Sequence, residues 1–150
     1  MNIDDIRLPY NSHTLKYPDR QQAETSAYGK SKNIWTPNPL GAKPRDVIEI
    51  PTTCNGMGEK TPHPTQKPES LLRKIILASS NKDSIILDPF SGSGTTLVAA
   101  EQLGRKWLGC DMSAEYNSWA ISRIDNVCRK TKEEWISHDR NEEKRRESIR

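Results

Sequence analysis

Asp88-Pro89-Phe90-Ser91-Gly92-Ser93-Gly94-Thr95-Thr96 lies between a short apolar run, Ile85 to Leu87, and a helix-forming stretch that ends near Leu103. A continuous apolar run is typical of a strand that is covered on both faces of a parallel sheet. Open α/β sheets bind their ligands beyond the carboxyl ends of the strands. Gly92 and Gly94 remove side chains where a ligand approaches the backbone, and free amides at the helix start offer donors. We therefore predict a binding turn here.

The elements around this turn follow from periodicity. Pro68 is a good first helical residue, and the sequence after it predicts a helix to about Ala78 with one apolar stripe: Leu71, Leu72, Ile75, Ile76 and Ser79. Around the turn, the predicted order is strand Ser84 to Leu87, helix Thr95 to Leu103, strand Lys106 to Cys110 and helix Ala114 to about Val127. These elements form a β-α-β-α unit.

Two residues are predicted to mark helix ends for known physical reasons. Gly104 is well placed to end the helix after the turn, and the Ser113 hydroxyl is well placed to cap the last helix. Before Gly58 the chain is rich in Asn, Pro, Lys, Tyr and Trp and shows little periodicity, so it is predicted to form loops with a few short strands. The best strand there is Asp46 to Ile50.

The bulk composition limits the class of protein. A chain of 150 residues suits one domain, and its 33% hydrophobic and 29% charged residues leave part of it solvated or awaiting a partner. We divide it into a loop-rich region (1–60), an α/β unit (61–128) and a charged tail without chemistry (129–150). No apolar run approaches the roughly 20 residues that cross a bilayer, so we expect no membrane partner and a cytoplasmic protein.

Cysteine and histidine usage argues against a metal. The three cysteines and three histidines are scattered and match no structural zinc spacing, so we predict reduced thiols and no metal. The net charge of +3 allows a basic face but does not identify nucleic acid as a partner.

The turn itself separates three classes of cofactor. A phosphate-binding P-loop needs a lysine before its Ser or Thr, but Gly94 is followed directly by Thr95. A dinucleotide fingerprint places a third glycine where this chain has Leu97. Nucleoside triphosphate and NAD are both disfavoured.

Two acidic residues favour the third class. Asp88 stands in front of the glycines, as a cofactor with a sulfonium and an amino group requires, and Asp111 ends the next strand 23 residues later (111 − 88). A carboxylate at that strand end can accept both ribose hydroxyls of an adenosine. Together they indicate S-adenosyl-L-methionine. The alternative is that both aspartates are only turn and cap residues.

Four segments carry a resemblance to a known family. They are Thr61-Pro-His-Pro-Thr-Gln-Lys-Pro68, Leu87 to Thr96, Gly104-Arg-Lys-Trp-Leu-Gly-Cys-Asp111 and Glu115-Tyr116. In this order they strongly resemble the C-terminal half of bacterial DNA methyltransferases that modify the exocyclic amine of adenine or cytosine. The resemblance covers about residues 33 to 128 and belongs to the group in which the catalytic motif precedes the cofactor motif.

The resemblance implies a fold and a set of cofactor contacts. The fold is α/β, a Rossmann-like S-adenosylmethionine-dependent methyltransferase fold, here partial, with an incomplete parallel sheet and an irregular N-terminal recognition segment. His63, Thr65 and Lys67 resemble contacts at the methionine end, or they belong to a Pro-rich turn that only starts the helix. Phe90 would line the cofactor, and Met112 would lie against the adenine or simply fill the core.

The resemblance also implies a DNA partner. Residues 33–46 look like the end of the family's target-recognition region, where polar, basic and aromatic side chains meet double-stranded DNA. The candidate contacts are Asn33, Trp35, Asn38, Lys43 and Arg45. The same residues are also ordinary for a solvated loop, and Trp35 can equally pack in a core.

One family motif is absent from the sequence. The family holds the flipped base with a D-P-P-Y or related motif, but Leu8-Pro9-Tyr10 and Asn38-Pro39-Leu40 each lack the second proline. We therefore expect a cofactor-binding part that needs a separate N-terminal half, with adenine favoured over cytosine. The alternatives are an inactive cofactor- or DNA-binding remnant and, more distantly, a nucleotide-dependent oxidoreductase.

Overall fold

The computed structural model describes residues 1–11, 15–16, 20–21, 34–53, 58–127 and 137. The helices whose bounds lie within these ranges are a short 3-10 helix, Ile3–Ile6, and the α-helices α1 (Glu69–Ser79), α2 (Thr95–Gln102) and α3 (Ala114–Asp125). Strands β1 (Arg20–Gln21) and β2 (Ile34–Trp35) form a short antiparallel pair. Strands β3 (Ile85–Asp88) and β4 (Lys106–Gly109) form a parallel pair.

The parallel pair confirms the predicted β-α-β-α unit. Ile85 lies opposite Lys106, Leu87 opposite Leu108, and Asp88 opposite Gly109, while α2 connects the two strands. Parallel strands need such a crossover because a short hairpin turn cannot return the chain in the same direction. The α/β fold class with an incomplete parallel sheet is confirmed.

Helix caps form where the sequence predicts them. Gly104 follows α2 with a φ of 68°, a conformation that costs glycine little. The backbone N–H of Tyr116 donates to the Ser113 hydroxyl (3.3 Å), so Ser113 caps α3. The starts of α1, α2 and α3 agree with the prediction to within one residue.

The core lies between α1 and α2. Ile76 and Leu77 of α1 pack against Ala99, Ala100 and Leu103 of the α2 region, and Ile6, Leu72 and Ile86 close the cluster. Small alanines allow the two helices to approach closely. The predicted α1 stripe is correct for Ile76 but wrong for Ile75 and Ser79, which are exposed, because the buried side of the helix also takes in Arg73 and Leu77.

Two further expectations about strands are wrong. Residues 46–50 form no strand, since within the described ranges no segment pairs with them and prolines stand at positions 44 and 51. The β3 run is not covered on both faces: Ile85 and Leu87 are 69% and 65% exposed, and the neighbouring Leu108 is 62% exposed. Helices cover only one face of this two-stranded sheet in the described part of the chain.

The first residues pack onto the α/β unit. The Asn2 backbone N–H donates to the Ala78 carbonyl (2.8 Å), and the Asn2 side chain donates to the Ser80 carbonyl (3.0 Å). The division into three segments stays a prediction, and the tail lies outside the described residues except for Ser137. No helix in the described ranges is long and apolar enough to span a membrane.

Candidate functional site

The glycine turn, residues 88–94, extends the parallel pair beyond its last ladder residues. The Cys110 N–H donates to the Asp88 carbonyl (3.2 Å), and the Ser91 N–H donates to the Cys110 carbonyl (3.0 Å). The Phe90 N–H donates to the Asp88 carboxylate (3.1 Å) and closes the start of the turn. The turn is therefore fastened to the end of β4, where the second predicted acidic residue lies.

Asp111 joins the turn to helix α3. Its carboxylate accepts from the Gly92 N–H and from the Ser113 N–H, both at 2.9 Å, and its carbonyl accepts from the Asn117 amide (2.8 Å). The hydrogen bond from Ser113, followed by the one from Gly92, lowers the Asp111 pKa below its ordinary 3.8. The group is thus held as a carboxylate, and its remaining lone pairs can accept hydroxyl protons.

The glycines of the turn have protein neighbours. Gly92 has a φ of 51°, and a Cβ built on it would lie 2.9 Å from Nε2 of His63. Gly94 has a φ of 75°, and a Cβ there would lie 2.6 Å from the Ala120 Cβ on α3. Ligand access is therefore not the only reason for glycine at these positions, because packing against His63 and α3 also requires it.

The structure brings His63 to the turn and leaves its two motif neighbours at the surface. The His63 ring meets the Tyr116 ring edge-on with centroids 4.5 Å apart. The Thr65 N–H donates to Nδ1 of His63 (3.3 Å), while the side chains of Thr65 and Lys67 are exposed. Tyr116 belongs to the Glu-Tyr pair of the sequence pattern, so two separate segments of that pattern meet here.

Phe90 and Met112 are the apolar residues predicted to wall the cofactor. Phe90 is 86% exposed and Met112 is 103% exposed. Met112 is therefore not core filler in this structure. Phe90 stands two residues after Asp88, the end of β3, and Met112 directly follows Asp111, so both large side chains lie exposed near the carboxyl ends of β3 and β4.

Gln66 organises the loop before α1 and gave no signal in the sequence. Gln66 is buried. Its side-chain oxygen Oε1 accepts from the Thr61 backbone N–H and hydroxyl (both 2.7 Å), and its side-chain nitrogen Nε2 donates to the Glu59 carbonyl (2.6 Å). A lone Gln in a Pro-rich loop has no periodicity that reveals burial. Gln66 therefore fixes the shape of the segment that presents His63.

Arg123 is a second residue that the sequence did not single out. Its guanidinium donates to the Ser93 carbonyl (2.7 Å) and to the Thr95 hydroxyl (3.1 Å), directly beneath the glycine turn. It also forms an ion pair with Glu69 at the start of α1 (2.8 Å). An arginine in a helix with a mixed surface looks like ordinary solvated charge until the tertiary packing is known.

Comparison with known proteins identifies the family. The family described as DNA methylase (N6_N4_Mtase) matches residues 2–122. The chain belongs to this DNA methylase family. The resemblance inferred from the Thr61–Pro68, Leu87–Thr96 and Gly104–Asp111 segments is confirmed.

Curated relatives place this DNA methylase chain beside longer proteins. It is 40% identical over 121 residues to the type II methyltransferase M1.MboII of Moraxella bovis, covering 77% of this chain and 45% of the relative. It is 48% identical over 82 residues to the DNA adenine methyltransferase YhdJ of Escherichia coli K12, covering 55% of this chain and 28% of the relative. The chain thus spans less than half the length of these relatives.

A solved structure agrees with the fold. The PvuII DNA methyltransferase, described as cytosine-N4-specific, superposes with a TM-score of 0.50 and 25% sequence identity. The match covers 66% of this chain and 37% of the PvuII chain. The partial parallel sheet seen here therefore corresponds to part of a methyltransferase fold.

The structure does not gather the residues predicted to contact DNA into one site, as it does for the glycine turn, His63 and Asp111. Asn33 lies outside the described residues, and Trp35 lies in β2. The Asn38 side chain accepts from the Leu40 N–H (2.8 Å), which makes it a turn residue. Lys43 and Arg45 are exposed on the loop that follows. Their role stays a prediction.

Proposed function

We propose that this DNA methylase chain is the S-adenosyl-L-methionine-binding part of a site-specific methyltransferase that modifies an exocyclic amine in double-stranded DNA. One observation carries the proposal: Asp88 and Asp111 stand at the ends of adjacent parallel strands and flank a glycine turn that leads into α2. Phe90 and Met112 lie exposed close by, as apolar walls of a nucleoside pocket would before a ligand covers them.

The donor and acceptor set fits this cofactor. Asp111 is held as a carboxylate by backbone amides, so it can accept the ribose hydroxyls of the cofactor. Asp88 places negative charge near the sulfonium and amino-acid end. When bound, the cofactor supplies an electrophilic methyl group. The chain's own residues bind and orient it. Of the two predicted threonine contacts, Thr96 is the more accessible, because Thr95 is buried and its hydroxyl accepts from Arg123.

The 150 residues contain no D-P-P-Y-type motif, which in this family accepts the hydrogens of the target amine. We propose that a separate N-terminal half carries this motif and completes the sheet beside β3. An inactive remnant is the second candidate, favoured by the same absence. Adenine is the proposed target, supported by the 48% identity over 82 residues to the DNA adenine methyltransferase YhdJ.

Cofactor binding is the first test of the proposal. We expect isothermal titration calorimetry to detect S-adenosylmethionine binding to the folded chain. Asp111→Ala should raise the cofactor Kd roughly tenfold, because ribose hydroxyls and the Gly92 amide lose their acceptor. The matched control is Asp125→Ala, an exposed carboxylate at the far end of α3, which should leave the affinity unchanged. A folded chain that binds no cofactor, even with a complementing half, would contradict the assignment.

Methyl transfer is the second test. We expect co-expression with the N-terminal half of a relative that carries the motif to give labelled methyl transfer to DNA, and each half alone to give none. Mass spectrometry of the DNA should find methyladenine. Transfer by this chain alone would refute the need for a second half, and methylated cytosine amine without methylated adenine would refute the proposed target.

A further inference from the structure

Helix α3 forms the floor of the glycine turn. Ala120 leaves room only for a glycine at position 94, and Arg123, one helical turn later, reaches under the turn. Its guanidinium donates to the Ser93 carbonyl (2.7 Å), to the Ser93 hydroxyl (3.2 Å) and to the Thr95 hydroxyl (3.1 Å). Both hydroxyl residues are buried, so these bonds are sheltered from water.

Glu69 holds Arg123 from the opposite side. One Glu69 carboxylate oxygen accepts from Arg123 (2.8 Å), and the other accepts from the Gln102 amide (2.7 Å) and from Arg73 (3.4 Å). The side chains of Glu69 and Arg123 are only 14% and 12% exposed. The pair therefore joins the start of α1, the end of α2 and helix α3 in one largely buried network.

Ser93 needs such a restraint because it lies between two glycines. Gly92 and Gly94 both have positive φ values, and glycine moves between backbone conformations more easily than any other residue. The Ser93–Gly94 peptide is held at its N–H, which donates to the Ser91 carbonyl (2.7 Å), and Arg123 holds the same peptide at its carbonyl. An arginine suits this task because its planar guanidinium presents several donors in fixed directions, whereas lysine presents a compact point charge.

We propose that Arg123, held by Glu69, is a positioning residue that sets the glycine turn in its cofactor-binding conformation. It draws the Ser93 carbonyl inward and so leaves the outer side of the turn, with Asp88 and Asp111, to the cofactor. This inference rests on the proposed function. It predicts that removing the Arg123 guanidinium weakens cofactor binding by more than the accompanying loss of stability explains.

The test compares two largely buried arginines in the full chain. Arg105 donates to the Leu103 carbonyl (2.8 Å) and the Ser80 carbonyl (3.3 Å), at the end of α2 away from the turn. S-adenosylmethionine affinity is measured by calorimetry on Arg123→Met, Arg123→Lys, Glu69→Gln and Arg105→Met, with the complementing half present where needed. Thermal unfolding gives the stability of each variant, and circular dichroism shows that it is folded at the binding temperature.

We expect Arg123→Met to raise the cofactor Kd about tenfold or more, since the hydrogen bonds that Nη1 shares among the Ser93 carbonyl and the two hydroxyls are lost. Arg123→Lys should recover part of the affinity, and Glu69→Gln should weaken it by a smaller factor. Arg105→Met should lower the Tm and leave the Kd within about twofold. In the complemented enzyme, Arg123→Lys should raise the KM for the cofactor and leave kcat nearly unchanged.

The outcomes separate the alternatives. If the two arginine-to-methionine variants lose affinity only in proportion to lost stability, Arg123 has a purely structural role and the proposal is overturned. If Arg123→Met does not fold, unchanged affinity in both Arg123→Lys and Glu69→Gln overturns it. If the folded wild-type chain binds no S-adenosylmethionine, the proposed function itself fails and this inference fails with it.

Discussion

Asp111 and Glu59 are carboxylates that each accept a backbone N–H bond, yet their pKa values shift in opposite directions. Asp111 lies at the open end of the sheet, so the hydrogen bonds from Ser113 and Gly92 dominate and lower its pKa. Glu59 accepts from the Glu69 N–H (2.9 Å), but burial outweighs this bond and raises its pKa above the ordinary 4.5. The exposure of each carboxylate therefore decides whether its pKa is lowered or raised.

The raised pKa of Glu59 gives a pH dependence of stability. A raised pKa means that the contribution is fully present below about 4.5 and is lost as the pH rises through the folded value. We expect Glu59→Gln, which keeps an acceptor for the Glu69 N–H, to be more stable than the wild type at about pH 7. The difference should vanish below the ordinary glutamate pKa. Asp111 acts in a separate window, because its contribution is lost only as the pH falls below 3.8.

Urea unfolding at several pH values measures this effect. The control is Glu49→Gln, which changes an exposed carboxylate and should show no such pH-dependent gain. A Glu59→Gln variant that is less stable than the wild type at neutral pH would mean that attraction to Arg73 and Arg123 outweighs burial.

At the scale of the elements, the turn and the two helices around it depend on glycines for different reasons. Gly92, Gly94 and Gly104 all have positive φ values. A Cβ on Gly104 would meet no atom within 4 Å, whereas a Cβ on Gly94 would overlap the Ala120 methyl on α3. A side chain would therefore strain the backbone at all three positions, whereas it would clash with neighbouring atoms only at the two turn positions, 92 and 94.

The three alanine substitutions separate strain from packing. We expect Gly104→Ala to cost about 1–2 kcal/mol of unfolding free energy, the cost of left-handed backbone alone. Gly94→Ala should cost more, about 3 kcal/mol or above, because α3 must also shift. Gly92→Ala should lie between them, since the His63 ring can rotate away. Denaturant unfolding provides the measurement, and equal losses at positions 94 and 104 would show that α3 moves without cost.

The sequence predicted where helices begin and end better than it predicted which side chains are buried and which strands pair. The caps at Gly104 and Ser113 depend on local backbone chemistry, so residue type alone was sufficient. The buried side of α1 was misjudged because the Arg73 guanidinium donates to Gln102 on α2, a partner that is distant in sequence, as well as to Glu69 one helical turn earlier. The strand expected at 46–50 failed for the same reason, since pairing depends on a neighbour that the local pattern does not contain.

The candidate site shows the same division. Asp88 and Asp111 were placed correctly because strand ends in a parallel pair share one edge. Gln66 and Arg123 were missed because their importance comes from buried hydrogen bonds between separate segments. Local patterns thus identified the groups that face outward, and only tertiary packing identified the groups that hold them.

At the scale of the whole molecule, the residues that the structure describes leave one face of the β3–β4 sheet exposed. Ile85, Leu87 and Leu108 form an exposed apolar surface on the side of β3 and β4 away from α2. A two-stranded sheet with one open face is marginal on its own. Under the proposed function, strands and helices of the N-terminal half cover this surface, and without them the chain should associate with itself.

Leu87→Ser tests this surface. We expect it to reduce self-association of the isolated chain in analytical ultracentrifugation and to weaken assembly with the N-terminal half about tenfold, because a buried leucine contributes roughly 1.5–3 kcal/mol. The control is Ile121→Ser, which removes an exposed apolar side chain from α3 and should affect neither measurement. Equal effects of the two substitutions would show that the sheet face is not the docking surface.

The compactness of the β3–α2–β4 segment in sequence has a kinetic consequence. Both strands, their connecting helix and the glycine turn lie within residues 85–109. Contacts between residues that are close along the chain lose little loop entropy and are associated with rapid folding. Rapid formation does not mean persistence, since a unit with one bare face also reopens readily. During synthesis we therefore expect this segment to form early and to reopen, and under the proposed function a covering half would make a frequently visited shape a lasting one.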